Sequence, residues 1–385
     1  MPTGQIRIEG RGFVSEPAYD GQQQHGYSLI AEGFYRRRSE AGFVFTLAPH
    51  IRFDEGYSDP LQGDLREFSL FYREDNWSIR IGIGQVRWGA SDVFSLIDVI
   101  NQTDRIHIGE ETEKLGQPMI EVSLAPGMGV LDLYVLPFFR EQSFPGRRGR
   151  LRPRLLIETD NAIYETSSTS RGPDVAARYS HTIGSLDYGL HVFSGRGRTP
   201  YLISSSNLPD MLQPMFANEE ETLVPFYENI VQVGLDAQWA IREWLWKLEA
   251  MYRDGFIDRY YAGIGGFEYA IQLPSVQQRD LRLVAEYAYD QRGKSVTSQT
   301  IFDNDLFLGV RLTTGNLAGS SLRGGLTYDL DHGEQVATLR YSRRLGDQNS
   351  FSLEGWFLFR PHQDSLLYEL RRDHFVRLVW TRYLP

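Results

Sequence analysis

The chain has 385 residues, a formal net charge of −10 and no cysteine. The negative charge argues against general affinity for nucleic acid, and the lack of Cys excludes disulfides, thiolate metal sites and cysteine nucleophiles. Aromatic residues make up 13% of the chain, most of them Tyr and Phe, which suits the interfacial girdles of a membrane barrel.

No run approaches the roughly 18 consecutive apolar residues that a transmembrane helix needs. Met1-Pro2-Thr3-Gly4 leads straight into a strand pattern, so an exported form is expected to have lost its signal already. From there, short segments with a period of two recur to the end. Ile6 and Ile8 alternate with Arg7, Glu9 and Arg11; Tyr27, Leu29 and Ala31 alternate with Ser28 and Glu32. Phe43, Phe45 and Leu47 follow, then Phe68, Leu70 and Tyr72 against Glu67, Ser69 and Arg73, and Ile79, Ile81 and Ile83 against Ser78 and Arg80.

The stretch Trp88–Asp104 breaks the pattern. Val93, Leu96, Ile97 and Ile100 fall at i, i+3, i+4 and i+7, Ser91 suits an N-cap, and Asp92 suits the positive helix end, so the spacing predicts a short helix. Strand-like segments resume near 118–126, 129–141, 171–181, 184–195, 225–240, 242–255, 258–273, 280–291, 302–315, 319–331, 334–345, 349–360 and 371–384. Trp244, Trp246, Leu248 and Tyr252 face away from Lys247, Glu249 and Arg253; Leu281, Leu283 and Tyr287 face away from Arg282 and Glu286.

The reading is an all-β, antiparallel up-and-down transmembrane barrel of about eighteen strands (16–18), a single domain over 1–385. Charges on one face of each strand fit a watery interior. The connections support this, because long and short ones alternate almost throughout, with tight turns on one side and longer loops on the other. An even strand count puts both termini on the tight-turn side, the periplasmic side of a Gram-negative outer membrane. A sandwich, a propeller or a solenoid is the soluble alternative, but no 40-residue blade repeat is present.

Gly82-Ile-Gly84-Gln85, Trp88-Gly89, and Asn101-Gln-Thr-Asp104 resemble a pattern of porin-like proteobacterial outer-membrane families of poorly defined function. Gly84 and Gln102 stand where that pattern carries Arg and Pro. The architecture is also similar to the eighteen-stranded alginate-export barrels. The resemblance implies an outer-membrane channel and leaves the cargo open.

So wide a barrel must be partly filled or conduct freely. The loop 89–117 is the expected constriction: its apolar side chains pack on the inner wall, while Asp92, Ser95, Asp98, Asn101 and Asp104 border the water path. Among the inward-facing arginines, Arg80, Arg282, Arg311, Arg323 and Arg340 are expected to form a basic wall opposite this acidic loop, giving a transverse field that sorts polar or anionic solutes. The bland alternative is that these charges pair across strands and stiffen the wall. The basic run Gly146–Arg154 either binds lipopolysaccharide phosphates or is simply solvated. Glu110, Glu111 and Glu113 match no Ca²⁺ loop, and no catalytic, nucleotide or metal motif appears, so no cofactor, metal or enzyme activity is expected.

The expected function is passive passage of small polar or anionic solutes, or export of an acidic polysaccharide, with outer-membrane lipid, lipopolysaccharide and a periplasmic transport partner as contacts. The competing readings are a barrel sleeve for a periplasmic transport or electron-transfer machine and a conduit for a lipid-like cargo.

Overall fold

In the computed structural model, the period-two segments become one closed wall. The structure describes all residues except 1–2, 57–59, 95, 105–112, 167–171, 214–219, 274–278 and 316–318. The first seven strands are β1 (Thr3–Phe13), β2 (His25–Arg38), β3 (Val44–Asp54), β4 (Leu61–Arg73), β5 (Trp77–Gly84), β6 (Gln117–Gly127) and β7 (Gly129–Leu136). Two short strands, β8 (Leu156–Ile157) and β9 (Ile163–Tyr164), precede β10 (Asp174–Ile183) and β11 (Leu186–Arg196). Two more short ones, β12 (Tyr201–Ser204) and β13 (Thr222–Tyr227), precede β14 (Asn229–Ile241), β15 (Trp244–Gly255), β16 (Arg259–Leu273) and β17 (Arg279–Asp290). The last are β18 (Asn304–Thr314), β19 (Ser321–Asp329), β20 (Gln335–Arg344), β21 (Asn349–Phe359) and β22 (Phe375–Leu384).

Eighteen of these strands form one sheet, each paired antiparallel with its neighbours in chain order. β1 pairs with β22 as well as β2, with Gly4 opposite Leu384 and Phe13 opposite Phe375, so the barrel has no free edge. Closure satisfies every ladder position without a neighbouring chain. The remaining four strands make a small mixed sheet: β13 pairs antiparallel with β12 and parallel with β8 and β9. This sheet belongs to the long connections after β7 and β11, at the barrel end opposite the termini, called here the loop end. The segment expected to be one strand over 225–240 is thus divided, with β13 serving this sheet and β14 the wall.

Side-chain alternation gives the wall its two faces. Ile8, Leu29, Ile81, Val233, Leu308 and Leu378 are exposed on the outside. Glu9, Arg52, His191, Asp236, Glu249 and Glu286 are buried inside. Trp244, Trp246, Phe267 and Tyr269 cluster on the outer face at the tight-turn end, with Trp244 and Trp246 stacked at 5.7 Å and Trp244 4.5 Å from Tyr269. That is the position of an interfacial girdle. Apolar outside, charged inside and closed, the fold is a transmembrane β-barrel.

The predicted helix is not there. No residue described between 85 and 104 is helical, and the one α-helical turn among the described residues is α1 (Leu366–Glu369). The reason is that this stretch is covered on more than one side: Phe94, Leu96, Ile97, Val99 and Ile100 are all buried, while Val93, on the expected apolar face, is exposed. An amphipathic helix hides one face only. Here wall side chains take over the backbone hydrogen bonds that a helix would make for itself.

Candidate functional site

The loop between β5 and β6 enters the barrel and crosses to the wall formed by β11 and β14–β17. Its base is stitched by one side chain. Asn101 accepts the Val86 N–H at 2.8 Å and donates to the carbonyls of Gly84 at 2.9 Å and Leu115 at 2.8 Å. Beyond this neck the apolar residues form the largest cluster of the interior. Trp88 packs between Tyr134 and His191, the Phe94 and Phe302 rings lie 4.8 Å apart, and Ile97 and Ile100 share one buried cluster with Phe193, Ile230 and Met251.

Two wall carboxylates hold the tip. Glu249 accepts the N–H groups of Ala90 at 2.6 Å, Ser91 at 2.7 Å and Leu96 at 3.4 Å. Glu286 accepts the Asp92 N–H at 2.9 Å and the Ser91 hydroxyl at 2.8 Å. Gly89 turns the chain toward Glu249 at φ +121°, and a Cβ there would stand 2.7 Å from Glu249 Oε1. A side chain would therefore meet both strain and a clash. On the acceptor side, Arg198 donates to the Ile100 carbonyl at 3.0 Å and Gln232 to that of Ile97 at 3.4 Å.

At the end of this crossing Asp92 meets the basic wall. Lys247 Nζ donates to its Oδ2 at 2.6 Å and Arg311 Nη2 to its Oδ1 at 3.1 Å. Burial alone would push the Asp92 carboxyl up, but the Lys247 ammonium and the Arg311 guanidinium outweigh it and hold the group below the usual carboxylate range. Lys247 also pairs with Glu268, which lies 3.4 Å from Arg282 and 4.0 Å from Arg311.

The arginines form a row. Arg282 is directly opposite Arg311, Arg311 opposite Arg323, and Arg323 opposite Arg340. Arg340 faces Glu354, Glu354 faces Arg377, and Arg377 faces Arg11. Strands in a barrel are tilted, so such a row climbs along the axis as it passes from strand to strand. It starts near the tight-turn end of β17 and finishes near the loop end of β1. Like charges directly opposed cost stability, and acids interleave here: Glu354 takes Arg340 at 3.3 Å and also pairs with Arg377. The row is thus both a basic stripe and a paired network. Arg80 stands apart, donating from Nε to Glu121 at 2.5 Å.

Other expected pore residues lie elsewhere. Ser95 falls outside the described residues. Asp98 does not border water: its side chain is 4% exposed and faces Lys114 at 3.4 Å. Burial raises its carboxyl above the usual range, against the opposing pull of Lys114 and Arg87. Asn101 is the neck stitch, and Asp104 is buried, accepting from the Ser143 hydroxyl at 2.9 Å. These side chains satisfy the loop's own backbone and charges, a demand that a one-face reading does not see.

The basic run is also partly internal. Arg150 is buried against Asp373 at 2.7 Å and over the Phe13 ring at 4.3 Å, and Arg152 donates to the Pro153 carbonyl at 2.8 Å. Arg147 and Arg148 are exposed and pair with Glu220 and Glu55. Glu113 is taken by Arg7 at 3.0 Å and Arg66 at 2.8 Å, and Glu110 and Glu111 lie outside the described residues.

Between the loop tip, the mixed sheet and the wall of β17–β21 remains a cavity of about 280 Å³. Asp92, Arg311 and Arg323 line its lower end, and Phe94, Phe144, Phe307 and Trp356 line its body.

A scan against protein-family models finds no match, and a search of curated proteins finds none either. Solved barrels do match in fold. Pseudomonas aeruginosa OccK8 (OprE) superposes over 100% of this chain and 98% of its own, at 11% identity and a TM-score of 0.53. Wzi of Escherichia coli, an outer-membrane carbohydrate-binding β-barrel involved in group 1 capsule assembly, matches over 98% of this chain and 83% of its own, at 10% identity and a TM-score of 0.51. The likeness is one of fold.

Proposed function

We propose that this chain is an outer-membrane channel of a Gram-negative bacterium that passes small polar or anionic solutes along the arginine row, through a lumen narrowed by the 89–117 loop. One observation carries the reading. The described loop tip is bonded to the β11 and β14–β17 side of the wall and meets the arginine row at Arg311 through Asp92, and the row climbs from there across β19 and β20. An acidic polysaccharide exported through the lumen would use the same stripe. The tight turns and both termini then face the periplasm, where a transport partner would dock, and the apolar belt contacts lipid. Exposed Arg147, Arg148 and Arg154 are the residues of the basic run in reach of lipopolysaccharide.

Every neighbouring pair of wall strands keeps its ladder, so the described residues offer no lateral gap for a lipid-like cargo. The docked loop and the mixed sheet also take up space that a sleeve would give to its partner. Planar-bilayer recording tests the channel. Purified protein should conduct with a preference for anions, and deletion of residues 91–113 should raise the conductance. Silence from both folded proteins would sink the reading.

A further inference from the structure

The cavity between the loop tip and β17–β21 is built into the wall by strand register. Three rows of inward side chains cross β18–β21 there, each residue directly opposite the next. The lower row is Arg311, Arg323, Arg340 and Glu354. The middle row is Gly309, Gly325, Thr338 and Trp356. The upper row is Phe307, Thr327, Val336 and Leu358. Two glycines and a threonine side by side make a dent between the charged row and the apolar one. The Phe307 ring lies across it: a Cβ at residue 325 would stand 2.3 Å from that ring, and one at residue 309 2.7 Å. Trp356 closes the far end, its ring stacked on that of Phe375 with centroids 6.1 Å apart. Phe94 from the inward loop and Phe144 and Leu151 from the connection after β7 complete the apolar lining.

The charges around this space are taken up by one another. Asp92 gives its two oxygens to Lys247 and Arg311, and Arg311 also faces Glu268 at 4.0 Å. Arg323 is likewise engaged. Toward the loop end, Lys294 holds Asp305 at 3.0 Å and Glu334 at 3.4 Å. A charged ligand group would therefore enter without a counter-ion, and burying an unpaired charge is costly. Two hydroxyls offer something different. Thr327 and Thr338 line the cavity, and neither has a hydrogen-bond partner among the described residues.

We propose that this cavity binds uncharged aromatic solutes carrying a hydroxyl, with the rings between Phe94, Phe307 and Trp356 and the hydroxyl on Thr338 or Thr327. An apolar cavity of roughly 150 Å³ takes one benzene, so one of about 280 Å³ takes two fused rings. Aromatic rings gain from face and edge contacts beyond the area they bury, and a few polar groups in an apolar pocket fix a ligand's orientation. The site goes beyond the passage of polar or anionic solutes, and it stands whether or not the barrel conducts.

The test dialyses full-length protein in detergent micelles to equilibrium against protein-free micelles, so that partitioning into detergent cancels. The probe is 2-naphthol, with 2-naphthoate and 2-naphthylmethylamine as its charged counterparts. Naphthol should bind saturably, and each charged compound at least tenfold more weakly. Thr338→Phe fills the middle row and should abolish binding. Thr327→Val combined with Thr338→Val removes both hydroxyls and should weaken naphthol roughly three- to tenfold, the loss expected for one neutral hydrogen bond. Folding of each variant is confirmed by its heat-modifiable mobility on electrophoresis. Naphthoate or the amine binding as tightly as naphthol would overturn the proposal, as would no saturable binding, or affinity unchanged in either folded variant. Conductance without naphthol binding would leave the channel and remove the site; binding without conductance would do the reverse.

Discussion

Glu249 is the strongest single anchor of the inward loop, and replacing it should release the loop while leaving the barrel intact. The side chain is buried on β15 and accepts three backbone N–H groups, two of them at 2.6 and 2.7 Å. Glu249→Leu keeps much of the volume, excludes water and offers no acceptor. Each buried N–H left without a partner costs ~1–3 kcal/mol. Part of this is recovered as the tip relaxes, since Glu286 still holds Asp92 and Ser91. A loss of about 3 kcal/mol in the free energy of local opening is expected, which is roughly a hundredfold faster amide exchange over residues 86–102. Glu249→Gln retains one oxygen and should fall between. Hydrogen exchange read by mass spectrometry, alongside single-channel conductance, tests this: faster exchange with larger or noisier conductance is expected. The ladders joining β14, β15 and β16 should keep wild-type protection. Unchanged exchange over 86–102 in folded Glu249→Leu would refute the idea that this carboxylate holds the loop.

Three further outcomes follow from the same network. Asp92→Asn removes the negative partner of Arg311 and one of the two acids on Lys247; a unit charge acts on a permeant about 6 Å away with roughly 0.7 kcal/mol in water-like dielectric, so reversal potentials should show an anion preference raised about threefold. Burial alone would raise the Glu113 carboxyl, but Arg7 and Arg66 outweigh it and hold it below the usual range. Its favourable contribution is therefore present above the unfolded value of about 4.3 and lost as pH falls through the lower folded value. Exchange at the loop neck, corrected for intrinsic rates, should stay flat from pH 7 to 5 and rise below about 4, whereas Glu113→Gln should exchange faster already at pH 7. Lys294→Met leaves Asp303, Asp305, Asp329 and Glu334 facing one another around a site whose lysine is 4% exposed; a loss of ~3–5 kcal/mol is expected in urea unfolding, partly recovered on lowering the pH from 7 to 5 as carboxylates are neutralised.

The barrel was legible because its rule is local. In the segments ending at Phe13, Asp290 and Leu384, apolar residues recur at nearly every second position with most of the charges between them, and only a strand puts the two sets on opposite faces. Connection length carried the direction of each strand. The inward loop failed at secondary structure because the same apolar spacing fits two environments. A helix face and a segment wrapped by a lumen both place Leu96, Ile97 and Ile100 in contact with hydrocarbon. What separates them is Glu249 and Glu286, more than 150 residues downstream, supplying acceptors to the loop backbone. Propensity says nothing about a hydrogen bond offered from that distance.

The arginine row shows the opposite limit. Each arginine was visible as an inward charge, but which of them stand side by side depends on strand register, and a slip of two residues would keep every face while moving every neighbour. In the observed register Arg282, Arg311, Arg323 and Arg340 become direct neighbours, while Arg80 on β5 is placed directly opposite Glu121 on the adjacent β6, away from the row. Register also decides how far the row acts as charge. Glu268 and Glu354 sit within it and Asp92 reaches it from the loop, so Arg282, Arg311, Arg340 and Arg377 each have a carboxylate within 4.0 Å. Arg311 and Arg323 line the cavity together with Asp92, and there the paired-wall reading and the solute-path reading make different demands. In a paired wall, Arg311→Gln leaves Asp92 and Glu268 with one cation fewer and lowers stability; in a solute path it lowers the anion preference, so unfolding and reversal potential measured on the same variant separate the two readings.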